Sequence, residues 1–75
     1  MEYTEQELIE LKSKIKYYCS IVGINVGSYF KANKNETKRS QLAKLFRLSG
    51  CIKGEHSGNE LIKAMEKVTN ELLKN

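Results

Sequence analysis

The sequence predicts an all-α fold, a compact bundle of three to four helices with long first and last helices. Three observations carry this. Apolar residues recur at alternating spacings of three and four in two long stretches. A Ser/Thr-x-x-Glu signature stands before each stretch. No segment alternates with period two for long enough to make a strand.

The first helix is expected from Thr4 to Val22. Thr4-Glu5-Gln6-Glu7 reads as a capping box, in which the Thr hydroxyl accepts the amide of residue 7 and Glu7 reaches back to the amide of Thr4. Leu8, Leu11, Ile15, Tyr18 and Val22 then form one stripe, widened by Ile9 and Cys19. Gly23 stands where a left-handed helix end requires it. Asn25 is a candidate cap for a short second helix, Val26 to about Asn33, which Gly27 weakens by roughly 1 kcal/mol relative to Ala. Lys31-Ala32-Asn33-Lys34-Asn35 is nearly devoid of apolar side chains and is expected to be exposed.

The third helix is expected from Asn35 or Thr37 to Leu48 or Ser49. Its buried side is Leu42, Leu45, Phe46 and Ser49, and Gly50 stops it. Residues 50–58 contain three glycines and form a loop that Ile52 anchors to the core. Ser57-Gly58-Asn59-Glu60 is a second capping box. The fourth helix follows with Leu61, Met65, Val68 and Leu72 as its stripe and Ile62, Thr69 and Leu73 alongside. Residues 1–75 read as a single helical domain without repeats or an internal boundary.

Composition excludes several classes. At 40% apolar and 29% charged residues the chain is a soluble globular type, not a disordered one. No run of 18 apolar residues is present, and the acidic start Met1-Glu2-Tyr3-Thr4-Glu5 does not resemble a secretory signal, so a cytoplasmic location and no membrane partner are expected. Cys19 and Cys51 are expected to be buried free thiols. Two Cys and one His without paired spacing do not make a zinc site, and no cofactor is expected. An enzyme is not expected either. His56, between Glu55 and Ser57, reads as an exposed loop residue, since a triad is a matter of geometry and not of adjacency. The glycines at 50, 54 and 58 are not followed by the Lys-Ser/Thr of a phosphate loop.

The charge is unevenly spread. Residues 1–11 hold four Glu and no base. Lys12 to Lys53 hold ten bases and one acid, Glu36, a net +9. Residues 54–75 hold four Glu and three Lys. A cationic centre of this size can attract a polyanion. A Lys-rich solvated surface is the other reading, and eleven Lys against two Arg with six Asn fits the coding bias of an AT-rich genome. The candidate nucleic-acid-binding residues are Lys31, Lys34, Asn35, Thr37, Lys38, Arg39, Gln41, Lys44 and Arg47. Cations among them would meet phosphates, aided by the start of the third helix. Asn35, Thr37 and Gln41 carry groups that bond phosphates or base edges, and Arg39 is the side-chain type that reads guanine. The alternative is an ordinary solvated helix start capped by Asn35 or Thr37.

Cys19-Ser20-Ile21-Val22-Gly23-Ile24-Asn25 resembles the turn of helix-turn-helix DNA-binding domains. Cys19 takes the place of the small residue on the first helix, Gly23 of the turn glycine, Ile24 of the aliphatic plug and Asn25 of the cap. Gly27-Ser28-Tyr29-Phe30-Lys31-Ala32-Asn33-Lys34 is similar to the recognition helix of tetracycline-repressor-type regulators, with two or three residues fewer before Tyr-Phe. Leu42 to Ser49 is similar to the first helix and turn of the same motif, with Arg47 where Gly is usual. The resemblance over residues 19–34 implies a major-groove approach by residues 26–34, with Lys31 and Lys34 toward the DNA. The expected function is a small DNA-binding regulator of transcription or of a mobile element, acting on duplex DNA, with a homodimer possible through the first and last helices. The alternative is a phage- or plasmid-type helical inhibitor or adaptor that binds a host protein or nucleoprotein complex. The aromatic residues Tyr3, Tyr18, Tyr29 and Phe30 read as core or core edge, and Tyr17 as exposed.

Overall fold

The structure, a computed structural model, describes residues 1–74 and contains four helices: α1 (Glu5–Val22), α2 (Val26–Ala32), α3 (Lys38–Leu48) and α4 (Gly58–Leu73). Each begins at a side-chain cap. The Thr4 and Ser57 hydroxyls accept the amides of Glu7 and Glu60, whose carboxylates accept the amides of Thr4 and Ser57 in return. Asn25 and Thr37 accept from Ser28 and Ser40. These contacts satisfy amides that the first turn of a helix leaves free. Gly23 ends α1 at φ 73°, a left-handed conformation that a side chain disfavours.

The ammonium of Met1 meets Glu60 at the start of α4, and Lys12 meets Glu71 near its end, so α1 and α4 run side by side in the same direction. A short loop cannot join parallel neighbours. Residues 23–57 carry the chain back, and α3 packs in that return against both long helices while α2 rests on α4. The core lies between them. It is built from Leu11, Ile15 and Cys19 of α1, Val26 and Tyr29 of α2, Leu42, Leu45 and Phe46 of α3, and Leu61, Ala64, Met65 and Val68 of α4. Thr69 is also fully buried, and its hydroxyl is satisfied by the carbonyl of Met65 one turn back.

Several expectations are corrected. Ile52 does not anchor its loop: it is 82% exposed. Gly50 turns the chain at φ 75°, the Cys51 amide bonds the Phe46 carbonyl, and the loop's inward places go to Cys51 and His56, which leaves residue 52 pointing out. His56 is not exposed but buried, because the Tyr3 ring stacks on it and the Met1 carbonyl and Glu7 bond its two nitrogens. Ile9, read as widening the core stripe of α1, is largely exposed, and Val22 of that stripe and Leu73 beside the α4 stripe are about half exposed, because α1 and α4 each turn a narrower arc inward. Ser49 is only half-buried and bonds the Leu45 carbonyl. Cys19 is buried and Cys51 half-buried, both as free thiols, and burial pushes both upward in pKa.

Met65 touches the centre of this core. Met65→Ala is expected to cost about 2–5 kcal/mol in urea unfolding, enough to consume most of the stability of a domain this small. Ile52→Ala is expected to change stability by less than about 0.5 kcal/mol.

Candidate nucleic-acid interface

The polar run between Lys31 and Gln41 spans the end of α2, a five-residue link (33–37) and the opening of α3. Its conformation is set from inside. The Tyr29 ring is buried, and its hydroxyl donates to the Gln41 carbonyl at 2.9 Å. The Gln41 side chain is buried as well and donates to the carbonyls of Asn33 at 2.6 Å and Phe30 at 3.4 Å. These two carbonyls sit at the C-terminal end of α2, where helical partners are missing. Asn33 closes the joint by donating to the Tyr29 carbonyl and accepting from Lys44. Burial raises the Tyr29 phenol in pKa, with Glu36 contributing in the same direction.

The candidate residues divide on this frame. Gln41, expected at the surface, instead faces inward: its amide is spent on α2 and it is 6% exposed. Thr37 is the N-cap of α3, its hydroxyl occupied by the Ser40 amide. Lys38 folds back so that its ammonium lies 3.8 Å above the Phe30 ring, a cation–π contact. Arg39, one residue on and about 100° around the helix, lies beside Gly58 at the start of α4. Lys44 reaches Asn33 and, at 3.8 Å, Glu36, an exposed pair of little energetic weight. Lys31, Lys34, Asn35 and Arg47 are exposed.

What the structure brings together is the outward arc of α3. Ser40, Lys44 and Arg47 recur at i, i+4 and i+7 on the side away from Leu42, Leu45 and Phe46. Ser40 stands on this arc although residue type alone did not single it out; helical register would have found it. Lys31 and Lys34 lie at the adjoining end of α2. The lysines of α1 are elsewhere. Lys12 pairs with Glu71 of α4, and Lys14 donates to the Gly50 carbonyl at the far end of α3. The +9 of residues 12–53 is therefore divided among surfaces and not gathered on one helical face.

The turn from Cys19 to Asn25 is formed by the end of α1, the left-handed Gly23 and the Asn25 cap of α2. Ile24, assigned to the plug position, is 38% exposed, and Val26 is the aliphatic side chain that enters the core. Among the described residues no cluster of His, Cys, Asp and Glu could hold a metal ion, and no helix is long and apolar enough to cross a membrane. No family model, no curated protein and no solved structure matches the chain.

Gln41→Ala removes the donor that serves two carbonyls at the end of α2. It is expected to destabilise the fold by about 1–3 kcal/mol in denaturant unfolding, because the carbonyls stay partly buried and lose their partner. A loss near zero would make Gln41 a surface residue after all.

Proposed function

We propose that the chain is a small basic DNA-binding regulator that docks on duplex DNA through α2, the link and α3. The observation that carries this reading is the composition and exposure of that region. Residues 31–47 hold six cations against one acid, Glu36, and Lys31, Lys34, Arg39 and Arg47 are exposed. Lys31, on the outward side of α2, and Lys34, just past its end, fit the approach that the turn at Gly23 implies. α2 is seven residues, about 10 Å, so it offers barely two turns to a groove. The arc Ser40–Lys44–Arg47 extends the contact along the backbone. Affinity in this arrangement comes chiefly from phosphates and depends on salt.

The second reading, a helical adaptor or inhibitor acting on a protein or nucleoprotein complex, is favoured by a different observation. Tyr17, Ile21 and Ile24 recur at i, i+4 and i+7 from α1 into its turn and are 70%, 65% and 38% exposed. Self-association would draw on this side of α1 more than on α4, whose apolar stripe is already committed to the core.

Fluorescence anisotropy on a duplex of 20 to 30 base pairs, roughly the span of two adjacent half-sites, separates the readings. Binding is expected at about 50 mM salt and is expected to weaken steeply toward about 200 mM. Replacing Lys34, Lys44 and Arg47 together by Ala should lower the slope of log K against log salt by up to about 3, at 0.9 per lost phosphate contact, with an unchanged helical spectrum. Absence of binding at the lower salt, or an unaltered slope in the variant, removes the DNA reading.

A further inference from the structure

His56 lies between the N-terminal strap (residues 1–3), α1 and the start of α4, and it is 7% exposed. The Tyr3 ring stacks on its imidazole, with centroids 3.7 Å apart and planes 14° from parallel. Nδ1 is hydrogen-bonded to the Met1 carbonyl, and Nε2 is 2.8 Å from Oε2 of Glu7. Both partners are acceptors only. A neutral imidazole has one N–H and one lone pair, so it cannot serve both. The geometry requires the imidazolium.

We propose that His56 is the pin of a pH-gated latch, holding the strap of residues 1–3 against the start of α4 when doubly protonated and releasing it when the ring gives one proton to solvent. The remaining N–H stays with the carboxylate of Glu7, the stronger acceptor, and the bare Nδ1 then faces the Met1 carbonyl. Two lone pairs oppose each other and the strap loses its tie at His56, so that Tyr3 can swing away while the ion pair of Met1 with Glu60 still holds the end of the strap. Glu2 and Tyr3 form part of the wall of a shallow cleft of about 290 Å³ between α1 and α4, which Leu8, Ala64, Lys63 and Lys67 also line; release opens it. The phenolic oxygen of Tyr3 is buried without a hydrogen-bond partner among the described residues, which opposes closure and keeps the latch poised.

The charged groups around the pin act in a consistent direction. Glu7 on α1 and Glu60 on α4 are negative and favour the imidazolium. The ammonium of Met1 is neutralised by Glu60 at 2.6 Å, and that pairing, with the bond from the Ser57 amide, holds the Glu60 carboxyl down to about 2. Cys51, from the loop after α3, lies near the Tyr3 phenol, and both groups stay neutral at ordinary pH because burial raises them. His56 itself is raised above 6.5, first by its bond to Glu7 and then by that to Met1. Its contribution to the folded state is therefore complete below 6.5 and disappears as pH climbs through the higher folded midpoint.

Glu7→Gln gives a discriminating variant. Gln retains the capping box, because its carbonyl oxygen can still accept from Thr4. Its amide nitrogen takes the place of Oε2 and donates to Nε2 of a neutral ring, leaving Nδ1–H for the Met1 carbonyl. Proton NMR of the Tyr3 ring and of the His56 ring, from about pH 5.5 to about 8.5, reads both groups. In the wild-type chain the Tyr3 resonances are expected to leave their ring-current-shifted positions with the same midpoint as His56, and that midpoint to lie above 6.5. In Glu7→Gln they are expected to stay shifted throughout. Tyr3 resonances that ignore the His56 titration, or a Glu7→Gln chain that titrates like the wild type, would overturn the latch.

Discussion

Tyr29 and Gln41 tie α2 to α3, and the placement of the cations on the candidate surface follows from that tie. A seven-residue helix has no independent stability in water. It persists here because Tyr29 and Val26 enter the core and because the Gln41 amide closes the carbonyls at its end. With α2 held, Asn33 is positioned to receive Lys44, Phe30 lies under Lys38, and Lys31 and Lys34 are left outward. The polar run is thus a shaped edge with an internal skeleton, and its most central polar side chain belongs to the skeleton.

The second organising element is the parallel pair α1 and α4. It places the acidic start of α1 next to the start of α4, where Glu7 and Glu60 complete their own capping boxes and also bind His56 and the Met1 ammonium. One carboxylate at each helix start thereby does two tasks: one oxygen caps the first turn, and the other binds His56 in the case of Glu7 and the Met1 ammonium in the case of Glu60. The same pairing draws Lys12 toward Glu71 and away from the basic edge. Charge in this chain is distributed by what the bundle needs for its junctions, and the region left for a polyanion is smaller and more local than the total suggests.

Much of the fold was legible because its signals are local. The two capping boxes, the Asn25 cap and the glycine at 23 specify helix ends within four residues, and the three–four periodicity specifies the inward arcs. His56 was not legible in this way. Its partners are 49 and 55 residues distant, and nothing in Glu-His-Ser announces that Tyr3 will lie against the ring. Ile52 misled because apolar character suggests burial, whereas the left-handed Gly50 decides which loop side chains turn inward. Gln41 carried a usable signal. It precedes Leu45 by one turn and so shares its inward arc, but a carboxamide in a polar run reads as surface until the open carbonyls of α2 come within reach.

A double-mutant cycle between Tyr29→Phe and Gln41→Ala, followed by denaturant unfolding, tests the tie between α2 and α3 most directly. The two side chains fasten the same joint, so the cycle is expected to return a coupling of about 0.5–3 kcal/mol. Simple additivity, with a coupling indistinguishable from zero, would mean that each group acts alone and that the edge is not held by a shared joint.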